Sequence, residues 1–287
     1  MGGPHPGEGR MSGRLAFLGP RGTFTEEAAL RDAPDAQLLP CPGIDAVAAA
    51  VEAGEADEGV VPIENSIEGS VNLTLDLLIH DSSLRIAREV VLPIEHCLLA
   101  APGTALEAVE VVYSHPQALA QCRRYLERHL PRARPEAALS TAAAVEELRR
   151  SPVPAAAIGT RRAAGLYGAQ VLAHGIQDQP NNVTRFVVLA REDHPPTGRD
   201  RTSLCFAFHD DRPGLLYHAL GEFAGRGINL SKIESRPSKQ RLGRYVFLID
   251  LEGHRQDPLV AEALEGLRRQ VATLKVFGSY PRWQGPG

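Results

Sequence analysis

The sequence predicts an α/β protein with two parts: a longer region arranged as two lobes and a shorter domain with the element order β-α-β-β-α-β. Short apolar runs alternate with helical segments from residue 15 to residue 191, which implies a mostly parallel sheet arrangement. A polar, proline-rich stretch at residues 192–198 follows, and the pattern of strands and helices changes beyond it. The length of 287 residues is enough for two domains, each with its own core.

The composition excludes several classes of partner. The net charge is −4 and no long basic run occurs, so we expect neither nucleic acid nor an anionic membrane as a partner. No apolar stretch is long enough to cross a bilayer, and residues 1–10 lack the apolar core of a secretory signal. The four cysteines are scattered without CxxC pairs, which indicates buried thiols and a cytoplasmic protein.

The positions of the lysines exclude several types of catalysis for the longer region. The first lysine is Lys232, so the longer region offers no amine for a Schiff base or for pyridoxal phosphate. That region also contains no P-loop, no HExxH, no G-x-S-x-G, and no G-x-G-x-x-G between a strand and a helix. If this region is an enzyme, we expect it to work with no metal and no organic cofactor.

The first predicted elements are a strand, a glycine turn and a helix. Residues 15–18 form the apolar strand and residues 19–22 the turn. Thr23 and Glu26 have the spacing of a capping box, which opens a helix. Free N–H groups and the helix dipole then point the same way, which favours an anion-binding corner. An ordinary capped helix without a ligand is the alternative.

A second polar cluster follows the next predicted strand. A helix over residues 44–53 precedes that strand, which covers residues 58–63. Ligands of open α/β sheets bind at the carboxyl ends of strands, so we interpret the cluster as a recognition loop and not as a plain surface turn. It consists of Glu64, Asn65, Ser66, Ile67, Glu68, Gly69 and Ser70.

The second lobe is predicted to begin near Pro93. A helix at residues 72–79 and strands at residues 86–91 and 93–100 come first, and a strand at residues 109–113 again ends in polar residues. We interpret His115 as a turn residue and not as a base, because a proline follows it. The polar residues are Ser114, His115, Pro116 and Gln117, with Gln121 on the helix beyond; a helix capped by Ser140, a strand at 155–159 and a helix at 160–167 complete this lobe.

The last strand of the longer region begins with two polar residues. A turn at residues 179–181 runs into a Val/Phe-rich strand, and Thr184 and Arg185 lie at its start. A guanidinium suits a carboxylate, and a hydroxyl can donate to a substrate oxygen. Taken alone, the stretch is typical of a strand edge with a solvated arginine. Together with the three other polar strand ends, it predicts two lobes that face each other across a cleft.

The region after the linker has its own pattern of elements. Strands are predicted at residues 202–208, 228–234, 244–251 and 271–277. One helix is predicted to open at Asp211 with Pro213 near its first turn, and a second helix covers residues 258–270. This order is that of the ferredoxin-like split arrangement.

Motifs in this order give the chain a resemblance to a known family. The longer region resembles prephenate dehydratases through Gly19-Pro20-Arg21-Gly22-Thr23-Phe24, Pro62-Ile63-Glu64-Asn65-Ser66, Ser114-His115-Pro116-Gln117 and Thr184-Arg185-Phe186. The shorter region resembles ACT regulatory domains through Arg212-Pro213-Gly214-Leu215-Leu216 and Ile233-Glu234-Ser235-Arg236-Pro237. The ACT motif usually reads Gly-Ala-Leu, and here Leu215 replaces the alanine. The resemblance covers nearly everything from residue 15 to the C-terminus.

The resemblance implies a division of the chain into domains. Residues 14–191 form the catalytic domain, with two lobes like those of periplasmic binding proteins. Lobe 1 takes about residues 14–92 and 177–191, and lobe 2 takes about residues 93–176. We expect residues 1–13 to be a disordered extension, with Met11 as the alternative start. Residues 192–200 are then the linker, and residues 201–280 are the ACT domain.

The implied reaction is the decarboxylating dehydration of prephenate to phenylpyruvate on the route to L-phenylalanine, which makes the protein a carbon–oxygen lyase. Loss of the C4 hydroxyl together with the ring carboxylate produces an aromatic ring. The enzyme therefore needs only to position the substrate, desolvate it and donate a proton. This requirement agrees with the expected lack of a cofactor.

The resemblance also implies site residues. Thr184 would donate a hydrogen bond to the departing hydroxyl, and Arg185 would hold a substrate carboxylate, directly or by shaping the pocket. Glu64 is the only carboxyl of these motifs that could be the literal acid; we favour the alternative, a turn residue repelled by a dianionic substrate. Phe186 would wall the ring, and neutral donors to the remaining oxygens are expected from Thr23, Asn65, Ser66, Ser114 and Gln121.

For the ACT domain, the resemblance implies a feedback site for L-phenylalanine between paired domains, and hence a homodimer or homotetramer. N–H groups at the start of the helix would bind the effector carboxylate, Asn229 its ammonium group and Leu216 its ring. The alternative is that these residues only build the dimer face. The predicted effector residues are Gly214, Leu215, Leu216, Asn229, Glu234, Ser235, Arg236 and Pro237.

Three other functions stay open from the sequence. Arogenate, which carries an amine in place of the side-chain keto group, is the nearest alternative substrate, and no motif decides between the two. A non-catalytic two-lobed ligand-binding protein fits the strand order, although such proteins are usually secreted. An ACT-gated regulatory protein is the third, and the polar clusters of the longer region argue against it.

Overall fold

The computed structural model describes residues 13–239 and 244–285. Apart from Gly13, the expected N-terminal extension with its alternative start at Met11 lies outside the described residues. The chain forms two compact units. The first comprises the described residues of Met1–Val71 together with Val91–Phe186, and the second comprises Asn72–Val90 together with the described residues of Val187–Gly287.

Strands and helices alternate along most of the chain. The described residues form fifteen strands: β1 (Arg14–Leu18), β2 (Gln37–Cys41), β3 (Glu58–Asn65), β4 (Gly69–Ser70), β5 (Arg85–Pro93), β6 (Cys97–Ala100), β7 (Val111–Ser114), β8 (Arg134–Ala137), β9 (Ala155–Gly159), β10 (Gln170–His174), β11 (Val183–Ala190), β12 (Asp200–Ala207), β13 (Leu230–Pro237), β14 (Tyr245–Glu252) and β15 (Thr273–Pro281). They also form nine α-helices: α1 (Phe24–Asp32), α2 (Ile44–Ala53), α3 (Asn72–Asp76), α4 (Pro116–Gln121), α5 (Arg123–His129), α6 (Thr141–Glu147), α7 (Arg161–Tyr167), α8 (Leu215–Ala224) and α9 (Pro258–Arg268).

Two short helical segments complete the secondary structure. A π-helical turn, Leu77–Asp81, extends α3, and a 3₁₀ turn, Leu106–Ala108, precedes β7. None of the described helices combines the length and the apolar character that a membrane span requires.

The first sheet has the strand order β2-β1-β3-β11-β5, with β4 paired to β3. β1 runs parallel to both β2 and β3 because α1 and α2 form the crossover connections between them. α2 packs closely on β3 at Gly59, where a Cβ atom would lie 2.5 Å from Val47 Cγ1. The carboxyl end of β3 carries Asn65, which places this side chain at the end of the sheet where ligands of such folds bind.

The second sheet has the order β10-β6-β9-β7-β8 and is mixed. β7 pairs in parallel with β8 and β9, whereas β6 pairs antiparallel with β9 and β10. Four of its five strands therefore run in one direction, as the predicted mostly parallel arrangement requires, and β6 departs from it. β6, by which the chain enters the lobe, is the one strand of this sheet that runs opposite to the other four, whereas β10 runs in the same direction as β9, to which α7 connects it.

The second unit contains an antiparallel sheet in the order β13-β14-β12-β15. α8 and α9 pack on it through a core that includes Phe206, Phe223, Ile249 and Leu267. The predicted order β-α-β-β-α-β is confirmed. α8 begins at Leu215 and not at Asp211, because Gly214 before it adopts a left-handed conformation with φ of +88°.

Charged side chains of this sheet hold the segment around α3 within the second unit. Arg236 Nη2 lies 3.0 Å from Asp76 Oδ1, and Lys239 Nζ lies 2.6 Å from Asp76 Oδ2. Burial alone would raise the pKa of Asp76, but the hydrogen bonds and charges of Lys239 and Arg236 outweigh it and hold that pKa below its usual value. Lys275 Nζ donates to Ser82 O at 2.8 Å beyond the π-helical turn.

Candidate active site

The first unit contains a cavity of about 860 Å³ that is lined from both of its sheets. Five predicted site residues line it: Thr23, Asn65, Gln121, Thr184 and Phe186. Further polar side chains from His96, His115, Gln117, Ser140 and Thr141 also line it. Among the lining residues that the structure describes, none is a lysine, arginine, aspartate or glutamate. A bound anion would therefore be held there by neutral hydrogen-bond donors and by backbone dipoles.

Thr23 caps α1 as predicted, but Glu26 does not complete the capping box. Thr23 Oγ1 accepts from Glu26 N at 3.4 Å and donates to Pro20 O at 3.0 Å. The buried Glu26 carboxylate instead accepts from Gly22 N at 2.7 Å and from Arg162 at 2.7 and 3.2 Å. Burial raises the pKa of Glu26, but these partners outweigh burial and lower it.

The turn before Thr23 lies against α7 without space for a side chain. Gly22 has φ of +85°, and a Cβ atom there would lie 3.1 Å from Ala163 Cβ. Thr160 Oγ1 donates to Gly22 O at 2.8 Å, and Tyr167 Oη donates to Arg21 O at 3.0 Å. Together with the Glu26–Arg162 pair, these contacts fix the loop that brings Thr23 to the cavity.

Asn65 is fully engaged in hydrogen bonds. Its Oδ1 accepts from the backbone N–H groups of Ile67 and Glu68, both at 3.0 Å. Its Nδ2 donates to Asn182 Oδ1 at 2.7 Å and to Thr184 Oγ1 at 2.9 Å. An amide has two N–H hydrogens, so both are used within the protein. In this geometry Asn65 Nδ2 donates to Thr184 Oγ1, and its direct donation to substrate stays a prediction.

β11 presents alternate side chains to the cavity. Thr184 and Phe186 both line it, and the period of two in a strand directs Arg185 to the other face of the sheet. There the buried Arg185 Nη2 donates to Glu64 Oε2 at 2.9 Å. Neither Arg185 nor Glu64 lines the cavity, so this geometry favours the indirect role, in which Arg185 shapes the pocket.

Ser66 and Ser114 lie outside the cavity lining. Ser66 Oγ accepts from Val183 N at 3.0 Å and lies 3.4 Å from Asn181 O, which links the loop after β3 to the start of β11. Ser114 is fully buried, and its Oγ donates to Ile158 O at 2.9 Å. Both hydroxyls bond to backbone groups that fix the strand ends next to the site.

Two residues that sequence reasoning missed belong to the same hydrogen-bonded group. Asn182 Nδ2 donates to Gln121 Oε1 at 3.0 Å, and His96 Nε2 lies 3.0 Å from the same oxygen. Burial lowers the pKa of His96, and the contact with Gln121 only partly offsets this effect. A histidine between the apolar residues Ile94 and Cys97, just before a buried strand, was the available signal.

The predicted effector residues divide into two groups in the second unit. Gly214, Leu215 and Leu216 line a cavity of about 220 Å³ together with Arg212 and Tyr217. Asn229 is exposed just before β13, and residues 234–237 lie on β13, the edge strand of the sheet. These five residues do not line the cavity. Among the described residues, no group of histidine, cysteine and acidic side chains is arranged to hold a metal ion.

Comparison with known proteins places the chain in a family. A family model for prephenate dehydratase matches residues 15–194, and a model for the ACT domain matches residues 203–269. A bifunctional chorismate mutase/prephenate dehydratase of Aquifex aeolicus is 47% identical over 270 residues, which are 94% of this chain and 74% of that protein.

Two solved structures have the same fold over nearly the whole chain. The prephenate dehydratase of Arthrobacter aurescens in complex with L-Phe is 42% identical with a TM-score of 0.87, covering 94% of this chain and 90% of that one. GqqA, described as a novel type of quorum quenching acylase, is 32% identical with a TM-score of 0.86, covering 94% of this chain and 98% of that one. The predicted resemblance is confirmed: this chain belongs to the prephenate dehydratase family and carries a C-terminal ACT domain.

Proposed function

We propose that the protein converts prephenate to phenylpyruvate, carbon dioxide and water, with Thr184 as the hydrogen-bond donor to the departing hydroxyl. One observation carries this proposal. Thr184 Oγ1 accepts a hydrogen bond from Asn65 in an uncharged cavity, so its own hydrogen is left to donate toward a ligand there. The domain bounds of the sequence analysis go with the proposal, and the family matches over residues 15–194 and 203–269 support them.

The chemistry of prephenate needs little more than such a donor. The bond between the ring and its carboxylate breaks, the electron pair moves through the ring diene, and the bond from C4 to its hydroxyl oxygen breaks. One proton taken up by the departing oxygen makes water, and the ring becomes aromatic. An unperturbed threonine is a very weak acid, so Thr184 stabilises the departing oxygen by a hydrogen bond or relays a proton to it.

The two substrate carboxylates require donors at other positions of the cavity. α1 has nine residues, and its first turn, with Thr23 as the cap and Thr25 beside it, lines the cavity. Free N–H groups at such a helix start attract anions. Phe186 packs its ring into the same wall, which suits the substrate ring. We assign an indirect role to Arg185: paired with Glu64 on the face of β11 opposite the cavity, it shapes the pocket.

An assay of the purified protein with prephenate tests the proposal. We expect phenylpyruvate to accumulate without any added metal or cofactor, as followed by its ultraviolet absorbance. Because one relative of the same fold is named as an acylase, arogenate and simple N-acyl amides are included as competing substrates. Turnover of either of these with no turnover of prephenate would contradict the proposal.

For the second unit, we propose a regulatory site for L-phenylalanine at the cavity around Gly214, Leu215 and Leu216. α8 has ten residues, and its start at Leu215 supplies N–H groups for the effector carboxylate. The relative solved with bound L-Phe supports this choice of ligand. Exposed apolar residues near the same surface, Tyr217 and Tyr245, suit a contact between copies of the chain and hence a homodimer or homotetramer.

The pair between Arg236 and Asp76 is proposed to transmit the effector response. Asp76 belongs to α3, which follows the loop carrying Asn65, and Arg236 belongs to the motif predicted to serve the effector site. Asp76→Asn removes the charge but keeps the size of the side chain. We expect kcat without effector to stay within about twofold, while the L-phenylalanine concentration for half-inhibition rises about tenfold. Initial rates over an effector titration measure both quantities.

The matched control is Glu262→Gln, which neutralises an exposed acid 3.7 Å from Arg226 on the same domain. It is expected to leave the effector titration unchanged. Equal titration curves for Asp76→Asn and the unaltered protein would remove this pair from the coupling.

The proposal also places the enzyme in the cytoplasm. Cys41, Cys97, Cys122 and Cys205 are all buried free thiols. Burial raises the pKa of Cys205 to about 11, so this thiol stays protonated and unreactive at neutral pH. Protonated, buried thiols of this kind are typical of proteins from a reducing compartment.

A further inference from the structure

We propose that Asn182 and His96 are positioning residues of the reaction: with Gln121 they fix the amide of Asn65 in the one orientation that donates to Thr184. Neither residue was among the predicted site residues. The inference rests on the proposed dehydratase activity for its kinetic consequences. The hydrogen-bond geometry that leads to it is independent of that activity.

The orientation of the Asn65 amide follows from backbone chemistry. The N–H groups of Ile67 and Glu68 can only donate, and both point at the same atom of Asn65 at 3.0 Å. That atom must be the oxygen, Oδ1. The other atom is therefore Nδ2, and its two hydrogens are directed at Asn182 Oδ1 at 2.7 Å and Thr184 Oγ1 at 2.9 Å, with Val183 O as a longer third contact at 3.3 Å.

The same argument fixes the orientations of the next two amides, those of Asn182 and Gln121. Since Asn65 Nδ2 donates, the Asn182 atom that faces it is Oδ1, and Asn182 Nδ2 faces Gln121. Gln121 must then present Oε1 to Asn182, which leaves its Nε2 to donate to Glu68 Oε1 at 3.3 Å. A carboxylate can only accept. The orientation of Gln121 that Glu68 requires is therefore the same as the one deduced from the backbone N–H groups at Asn65. The result is a closed ring of four hydrogen bonds through Asn65, Asn182, Gln121 and Glu68, which we call the amide ring.

His96 completes the amide ring from the side. Its Nε2 lies 3.0 Å from Gln121 Oε1, which is an acceptor, so Nε2 carries a hydrogen. Burial lowers the pKa of His96 and so favours the neutral imidazole, although the hydrogen bond with Gln121 partly opposes this effect. The neutral ring then has its single hydrogen on Nε2. His96 thus supplies a second donor to Gln121 Oε1 and opposes any rotation of the Gln121 amide.

The amide ring determines what the Thr184 hydroxyl does. A hydroxyl has one hydrogen and two lone pairs, and Asn65 donates to one of these pairs at 2.9 Å. If the Asn65 amide turned over, its oxygen would face Thr184 and would take the threonine hydrogen for itself. The orientation that the N–H groups of Ile67 and Glu68 set, and that Asn182 and His96 reinforce, prevents that loss and keeps the hydrogen available for the departing hydroxyl of the substrate.

Burial restricts the two proposed positioning residues, whereas Glu68 of the amide ring is exposed. Asn182 is 1% exposed and His96 is 3% exposed. A small cavity of about 250 Å³ next to Asn182 is lined by two acids and two arginines, namely Glu68, Asp178, Arg123 and Arg124. A charge introduced at position 182 would therefore lie at a cavity that carries both of these carboxylates and both guanidinium groups, besides the contact with Gln121, to which His96 also bonds.

The test uses Asn182→Asp, because its carboxyl group imitates the amide only when it is protonated. The protonated form accepts from Asn65 with its carbonyl oxygen and donates to Gln121 with its O–H group. In the ionised form both carboxylate oxygens are acceptors, and one of them faces Gln121 Oε1, which is also an acceptor. We expect kcat for prephenate to fall about a hundredfold at pH 8 and to recover at least tenfold relative to the unaltered enzyme as the pH falls to 5. KM is expected to change less than about threefold.

The control is Asn181→Asp, the same substitution at the exposed neighbour. Its kcat is expected to stay within about twofold of the unaltered enzyme over the same pH range. A kcat of Asn182→Asp that matches the unaltered enzyme at pH 8 would overturn the proposal. A loss of kcat by the same factor at every pH would overturn it as well, because the protonated carboxyl group would then not imitate the amide.

A second pair of variants applies if Asn182→Asp does not fold at pH 8. His96→Gln keeps an N–H donor near the position of Nε2, and His96→Leu removes it. We expect kcat close to that of the unaltered enzyme for the glutamine variant and at least tenfold lower for the leucine variant. Equal kcat values in the two variants would overturn the role of His96.

Failure of the proposed function would be recognised separately. If the unaltered protein does not turn over prephenate, the dehydratase assignment fails, and the amide ring is then tested by stability alone. The melting temperature of Asn182→Asp should approach that of Asn181→Asp as the pH falls from 8 to 5, because protonation restores the donor to Gln121. A difference between the two variants that does not change with pH would contradict the amide ring itself.

Discussion

Replacement of Thr184 by valine is expected to lower kcat for prephenate about a hundredfold to a thousandfold, with KM changed less than about threefold. Valine keeps the shape of the side chain, so the buried wall of the cavity stays filled. It removes the hydroxyl that accepts from Asn65 at 2.9 Å and that we propose as the donor to the departing oxygen. The interaction with that oxygen strengthens as the bond from C4 breaks, so its loss affects kcat and not ground-state binding.

Initial rates of phenylpyruvate formation over a range of prephenate concentrations measure both constants. Thr184→Ser is the matched control, because serine retains the hydroxyl and loses only a methyl group. We expect its kcat to stay within about tenfold of the unaltered enzyme. A valine variant that keeps half of the normal kcat would show that Thr184 is not the donor.

Replacement of Gly278 by alanine is expected to destabilise the second unit by about 3 kcal/mol. Gly278 lies in β15 next to an irregularity in the pairing with β12. A Cβ atom at this position would lie only 2.2 Å from Ile86 O and 2.8 Å from Ile86 N. Both are backbone atoms of β5, which cannot rotate away as a side chain does. The two strands would have to separate.

Differential scanning calorimetry measures this effect, and a fall in Tm of about 9–18 °C is expected for a unit of this size. The matched control is Gly221→Ala in α8, where a Cβ atom meets no heavy atom within 4 Å. Alanine favours the helix there, so we expect a gain of up to about 1 kcal/mol. Equal Tm values for the two alanine variants would contradict the close approach of β15 to Ile86.

The central strands of the fold were predictable from the sequence, and three edge strands were not. β3, β9 and β11 are apolar runs that the sequence analysis identified as strands. Three of the missed strands, β2, β8 and β10, lie at sheet edges, and the fourth, β4, has only two residues and pairs with β3. β8 is exposed along its length and contains Pro135. Edge strands bury only part of their surface, so they lack the run of apolar residues from which a strand is recognised.

The candidate site was predictable to the level of the loops that form it. Asn65 was identified because polar residues follow an apolar strand at the carboxyl end of a sheet, and Thr184 because it lies at the start of the last apolar strand of the longer region. The contrast between Thr184 and Arg185 was not predicted, since it depends on which face of β11 meets the cavity. His96 and Asn182 were missed because their role depends on partners that are distant in sequence: Asn182 bonds Asn65, 117 positions away.

The amide ring has a consequence for how substitutions act. In a closed ring of hydrogen bonds, all donors point in the same direction around the ring. To reverse that direction, every member would have to turn over at once. The Asn65 amino group would then face the N–H groups of Ile67 and Glu68, which are also donors. The amide ring therefore has one allowed direction and no partly reversed intermediate that satisfies all of its members. We therefore expect a substitution at any member of the amide ring to change the hydrogen bonding of Thr184, even where the substituted residue does not contact the threonine. We expect a substitution at one of these positions to be tolerated only together with a compensating substitution at its hydrogen-bond partner.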